Sequence, residues 1–230
     1  MLLSRHFRRG ALPGVRELPF ASKRFSLLID GHSHSFFQPA DPNDILDRIT
    51  GKEFERDEFQ PYWTKHWPAA EAMVTALDKL SLPRKGMIAE IGCGLGVVSA
   101  AAAVITGLPI VSFDIAFNAC RYTSVNMQNQ NITPRVVTAD VRHSCFSRRF
   151  DAILCADILY EERWVEPTLD FIDAFLCRGG SALCADPLRK PWTRFKDEAG
   201  KRGYSCTLEK TAPLHAGNTV VEIVRLIKTA

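Results

Sequence analysis

"EIGCGLGVVSAAAAVITGLPIVSFDI", residues 90–115, decides the fold of this chain. Glycines at 92, 94 and 96 alternate in a short loop, an alanine-rich stretch follows, and a second apolar run closes around Asp114. The order is strand, glycine turn, helix, strand. Such a turn points backbone N–H groups and the positive end of a helix at a ligand. Glycines allow the tight turn and the close approach. The spacing is GxGxG, not the GxGxxG of dinucleotide sites. An acid, Glu90, opens the loop. A carboxylate about 4 Å from a phosphate charge repels it by about 4 kcal/mol at an effective dielectric of roughly 20. The expected ligand is therefore nucleotide-like but free of phosphate.

Outward from this unit the pattern repeats. Apolar runs at 87–91, 109–115, 134–141, 150–159 and 180–187 alternate with helical stretches at about 96–106, 117–129, 162–177 and 190–202. Largely apolar strands separated by helices imply a parallel sheet covered on both faces. Two further strands, 204–211 and 219–228, are joined only by a loop, so they should pair antiparallel. The expected fold is α/β and Rossmann-like, with a seven-stranded sheet of five parallel strands plus a C-terminal antiparallel hairpin. Upstream, 25–29 and 34–37 flank "DGHS", a hairpin signal. "ADPNDILDRI" reads as a turn and a short helix with Asp41 or Asn43 as cap. "EFERDEFQ" is acidic and solvated, and Ala70, Met73, Val74, Leu77 and Leu80 repeat at helical spacing. Residues 1–58 read as an N-terminal extension and 59–230 as the catalytic-type domain.

Asp114 ends the second strand of the domain and Asp140 the third. With Glu90 they place an acid at three successive strand ends, the edge where open α/β sheets bind ligands. Asp114 can accept ribose hydroxyls and Asp140 the adenine amino group. S-adenosylmethionine (SAM) has no phosphate, carries an ammonium for an acid, and offers a carboxylate to the helix N-terminus. It is the ligand that tolerates Glu90.

On these motifs the chain resembles class I SAM-dependent methyltransferases, from about residue 59 to 228. "PYWTKHWPAAEAM" (61–73), "ADILY" (156–160) and "ADPLR" (185–189) are similar to segments of the methyltransferase-like protein-lysine methyltransferases. The enzymes acting on the electron transfer flavoprotein β subunit, and their bacterial relatives, are especially similar. The form "IGCGLG" is found across class I enzymes and does not single out that group. The resemblance implies cofactor roles for Glu90, Gly92, Gly94, Gly96, Asp114 and Asp140, with Ile115, Val141 and Ala156 beside them. It implies the same for Trp67, and substrate-facing roles for Asp157 and Tyr160. Trp63 and Trp67 are four apart and would share a face if their segment were helical, one walling the cofactor and the other packing as core.

The implied reaction is methyl transfer from SAM to a lysine nitrogen of a protein. Two alternatives stand beside it: a small-molecule or nucleic-acid methyltransferase, and a non-catalytic SAM-binding module. Asp157 would capture and orient the amine, and Tyr160 would face it with its ring. His32 and His34 fall in the hairpin turn and His66 lies between tryptophans, none in a metal-site motif, so surface or packing roles are expected. Arg189 and Lys190 are expected to stay solvated, with an acidic partner as the alternative.

A net charge of +3 in 230 residues gives no strong case for nucleic acid or membrane. The uncharged run 91–113 is broken by glycines and Pro109, so it reads as domain core rather than a membrane span. Seven cysteines with no CxxC read as buried thiols in a reducing compartment, with disulfides or zinc as alternatives. The expected location is cytoplasmic. The alternative is the mitochondrial matrix, if the acid-free start "MLLSRHFRRGALPGVR" is a presequence.

Overall fold

A computed structural model describes residues 18–46, 61–143, 146–213 and 220–229. The Arg-rich start, "EFERDEFQ", the 58/59 boundary and most of the final hairpin loop lie outside the described residues.

The main sheet has seven strands: β3 (Ile88–Ile91), β4 (Ile110–Asp114), β5 (Val136–Thr138), β6 (Phe150–Ala156), β7 (Leu176–Asp186), β8 (Tyr204–Pro213) and β9 (Val220–Lys228). Their spatial order is β5-β4-β3-β6-β7-β9-β8. The first five run parallel, β9 pairs antiparallel with β7, and β8 antiparallel with β9. The order reverses direction at β3, so the switch point of the sheet falls beside the glycine loop, where ligands of such sheets bind.

The crossover helices are α3 (Val97–Thr106), α4 (Phe117–Asn129), α5 (Val165–Phe175) and α6 (Lys190–Lys201). α3 is alanine-rich because its first seven residues are all buried. Gly107 ends it in the left-handed conformation, φ 67°, with its N–H on the Ala103 carbonyl. α6 shows the opposite design: Pro191, Trp192, Phe195 and Ala199 form one buried face of an otherwise charged helix. Burying Trp192 and Phe195 contributes about 1.5–3 kcal/mol each.

Element boundaries differ from expectation for local reasons. β5, at one edge of the sheet, is only three residues long. β7 starts at Leu176, since α5 ends where that residue turns extended (φ −77°, ψ 132°). Before the sheet, α2 (Pro68–Val74) is shorter than its apolar spacing suggests, and Leu77–Lys79 continues as a separate 3-10 turn.

The upstream hairpin, β1 (Ser22–Ile29) and β2 (His32–Pro39), turns at Asp30 and Gly31, both with positive φ, as the Asp-Gly pair requires. The short helix α1 (Asn43–Leu46) follows, with Asp41 Oδ1 accepting the Asn43 N–H. Buried Asn126 of α4 ties the hairpin down. Its Nδ2 donates to the carbonyls of Phe37 and Leu95, and its Oδ1 accepts the Phe37 N–H at 2.7 Å. The described part of the extension is thus packed on the domain beside the glycine loop.

Candidate active site

At the carboxyl ends of β3, β4 and β6 the structure opens a cleft of about 1230 Å³, counting the solvent at its mouth. Twelve of the thirteen residues singled out from sequence line it; Gly96 does not. Gly96 instead caps α3 at φ 74°, and a Cβ there would sit 2.7 Å from the Thr123 methyl and 3.0 Å from its Cα. Its contribution is to the shape of the loop. Gly92, φ 65°, does face the cleft, and a Cβ would meet Ile158 Cγ2 at 2.6 Å, so glycine lets the two strand ends approach.

Glu90 is 3% exposed. Its Oε2 accepts the Ser99 N–H at 2.9 Å and, over a short contact, the Ser99 hydroxyl. Burial pushes the carboxyl up to about 8, against those hydrogen bonds. At neutral pH in the empty protein it is mostly protonated. This tempers the electrostatic argument drawn from sequence: a mostly protonated acid repels phosphate less than a full charge would, and a cation close by draws the proton off. Asp114 accepts from Gly94 N at 3.0 Å and Ala116 N at 2.9 Å, so it clamps the glycine loop while facing the cleft. Burial pushes it up too, against those N–H groups. Asp140 is gripped by Arg142, whose Nε lies 3.0 and 2.9 Å from its two oxygens. Burial would raise its pKa, but the Arg142 contacts outweigh it and hold Asp140 below its ordinary value. Ile115, Val141 and Ala156 line the walls beside these acids.

The tryptophans do not share a helix. Tyr62–Thr64 is a 3-10 turn, and the chain is extended at Lys65 and Trp67. Trp63 is buried at the back of the cleft against Phe20 and Tyr122, while Trp67 is half-buried and packs edge-on to Tyr62.

Asp157 is the hub of the mouth. It stands at φ 61° just past β6, a strained position for a non-glycine residue. Oδ2 accepts the Ala69 N–H at 2.6 Å, capping α2, and Oδ1 lies 2.8 Å from Arg189 Nη2. Burial pushes Asp157 up, against Arg189 and the α2 amides. Arg189 also bridges to fully buried Asp186 at 3.0 Å, and its guanidinium lies 6.0 Å from the Trp67 ring. The expectation that Arg189 stays solvated is therefore corrected, and its alternative, an acidic partner, is what the structure shows. Burial pushes Asp186 up to about 6, with Arg189 opposing. Tyr160 packs against Tyr62 with its ring tilted by 47° and centroids 4.7 Å apart, and its ring lies 5.9 Å from that of Trp164. Burial pushes its phenol up. Tyr62, Lys65, His66, Arg163, Trp164 and Thr168 also line the cleft and were not singled out as site residues from sequence.

The donor set fits SAM. Carboxyls at the β3 and β4 ends suit its cationic part and ribose. Trp164 Nε1 and Thr168 Oγ1 are buried cleft-lining atoms with no partner in the protein, as expected of groups that a polar ligand completes. Among the described residues, no cluster of His, Cys, Asp or Glu is placed to hold a metal ion. The described cysteines are free thiols, and Cys93 in the glycine loop is buried, which pushes its thiol up. No described helix is long and apolar enough to cross a membrane.

A family model, the methyltransferase small domain, matches residues 63–179, just over half of the chain. The chain belongs to this family. It is a class I SAM-dependent methyltransferase, and SAM is its cofactor. A curated relative, the electron transfer flavoprotein β subunit lysine methyltransferase of Danio rerio, is 27% identical over 146 residues. That match covers 62% of this chain and 55% of the relative. Solved structures share the fold at low identity. The 16S rRNA N2 G1207 methyltransferase of T. thermophilus superposes with a TM-score of 0.63 at 16% identity, covering 92% of this chain and 52% of that one. A TehB-like SAM-dependent methyltransferase from Corynebacterium glutamicum gives 0.54 at 18%, covering 82% and 98%. The magnesium protoporphyrin IX methyltransferase of Synechocystis PCC 6803, with bound SAM, gives 0.56 at 14%, with the same coverages.

Proposed function

We propose that this methyltransferase acts on the side-chain nitrogen of a lysine presented by a protein. The observation that carries the reading is the mouth of the cleft. There a buried carboxylate, Asp157, stands beside the aromatic rings of Tyr62, Trp67 and Tyr160. Acid and ring faces together suit a cationic amine. The curated relative, named for a lysine methyltransferase activity, supports the same class of acceptor.

SAM bound in the cleft supplies an electrophilic methyl on a sulfonium. The chain's residues position it and the acceptor; holding two reactants in line can supply roughly 7–11 kcal/mol of the barrier. Glu90 and Asp114 face the cationic and ribose parts, and the aromatic rim excludes water. Lysine must lose a proton before it can attack. With a reference pKa of about 10.4, this costs about 4.6 kcal/mol at pH 7. Asp157 attracts the ammonium and so works against that loss. Its role is capture and orientation, with Arg189 and the α2 amides fixing its carboxylate. Tyr160 lines the approach with its ring.

Labelled SAM, the protein and a cell lysate, followed by protease or nuclease digestion, test the reading. Label released by protease and recovered as N-methyllysine is the expected result. Label in nucleic acid or in a small molecule would replace it with the corresponding alternative.

A further inference from the structure

His66 sits on the extended stretch between the 3-10 turn and α2 and lines the cleft. Its ring stacks on Phe25 of β1, centroids 5.3 Å apart at 26°. Its Nε2 is sealed from solvent and has no hydrogen-bond partner. The nearest acid, Glu71 of α2, stands 3.7 Å away, beyond hydrogen-bond reach. Leaving a buried polar atom unmatched costs about 1–3 kcal/mol, so its persistence in a cleft wall points to a group that meets it from outside the chain.

We infer that His66 is the proton acceptor of the transfer reaction, taking a proton from the ammonium of the acceptor lysine at Nε2. The inference rests on the lysine reading above and supplies the base that Asp157 cannot be. The groups around the ring are Glu71 on α2, Asp157 after β6, itself paired with Arg189, and the adjoining Lys65; from β1 the ring meets Phe25. Burial lowers the imidazole pKa from its ordinary 6.5, against Glu71 and Asp157, which act to raise it. The ring is therefore neutral at pH 7 and able to accept.

The step balances. An N–H bond of the ammonium breaks, its electron pair stays on nitrogen, and the proton moves to Nε2. The nitrogen pair then forms the N–C bond to the methyl, while the C–S bond breaks with its pair left on sulfur. The imidazolium loses its proton to water as the methylated lysine leaves the cleft.

Two measurements test this. The first follows the His66 ring by NMR through a pH titration of the whole protein without acceptor, assigned by its absence in H66Q. A midpoint below 6.5 is expected; one at or above that value overturns the inference. The second measures kcat against pH with the acceptor identified from the labelled lysate. Wild type should show an acid limb with a midpoint below 6.5. H66Q should lose that limb and about 100-fold in kcat at pH 7, with KM for SAM within about twofold. An H66Q enzyme within about threefold of wild type, with the same limb, overturns it. If lysine is labelled but H66Q is as fast as wild type, only the histidine role falls. If the label enters nucleic acid, the lysine reading falls and this one with it. Should H66Q fail to fold, the NMR midpoint, assigned instead by H66F, and the wild-type limb decide.

Discussion

The two sides of the cleft are built differently. On the cofactor side, each acid sits at a strand end and is satisfied close by: Glu90 by Ser99 of the next helix, Asp114 by amides of the glycine loop and of α4, Asp140 by Arg142. On the acceptor side, the partners of Asp157 come from far along the chain. Asp157 after β6 is held by α2 amides from upstream and by Arg189 from beyond β7. The first side is a loop shaped by backbone, the second a knot of side chains from three segments. Damage to the first should therefore register in SAM affinity, and damage to the second in turnover.

The largest effect is expected from Gly96→Ala. The left-handed conformation costs a non-glycine residue about 1–3 kcal/mol. The added Cβ would also press on Thr123, including its backbone at 3.0 Å. Together these should weaken SAM binding on the order of 100-fold by calorimetry and lower the melting temperature by several degrees. Affinity within about threefold of wild type would mean that the loop tolerates reshaping and that the contrast is misdrawn. Asp157→Asn comes next. Asparagine accepts positive φ well and can still take the α2 amides, but it loses the charge facing Arg189. Turnover should fall on the order of 100-fold with SAM affinity within about threefold. Arg189 keeps its bridge to Asp186 and is partly exposed, so losing the pair costs about 1 kcal/mol and lowers the melting temperature by only about 2–4 °C. Equal loss of binding and turnover would make Asp157 a general scaffold residue rather than an acceptor-side one.

The same contrast explains what could be read from the sequence. The glycine loop, the strand-end acids and the βα alternation are contiguous signals, and all seven strands of the main sheet lie where their apolar runs stand. Glu90, Asp114 and Asp140 reach one edge because the ends of parallel strands share an edge. The acceptor side was legible only in pieces. Arg189 looked like a surface cation because nothing in "PLRK" announces that Leu188 turns at φ 61° and folds the guanidinium back onto Asp186 and Asp157. Trp63 and Trp67 invited a helix because four-residue spacing is a helical signal, whereas the chain takes a 3-10 turn and then extends into Pro68. The residue before a proline disfavours the helical region, so that boundary was available from the sequence and was outweighed by the spacing. His66 shows the limit most clearly. Its unmatched nitrogen follows from which groups fail to reach it, a property of the packed structure alone.

The smallest effect should come from Glu90→Gln, and its sign separates stability from binding. Glu90 has a folded-state pKa of about 8 against an ordinary 4.5. A raised pKa means that the folded state keeps a proton which the unfolded chain gives up. The stability that proton confers is complete below pH 4.5 and drains away as pH rises towards 8. Glutamine cannot ionise and escapes this loss. In the protein without cofactor, the variant should match wild type near pH 5 and melt a few degrees higher near pH 8.5. SAM binding should respond in the opposite sense. A cation in the cleft draws the proton off Glu90, so wild-type affinity should rise with pH towards 8, and the variant should lose about 10-fold, most at the alkaline end. Proton release on binding, read by calorimetry in buffers of differing ionisation enthalpy, should be present in wild type and absent from the variant. A variant less stable than wild type at pH 8.5 would show that Glu90 is already charged in the empty cleft. The repulsion of phosphate argued from sequence would then stand after all.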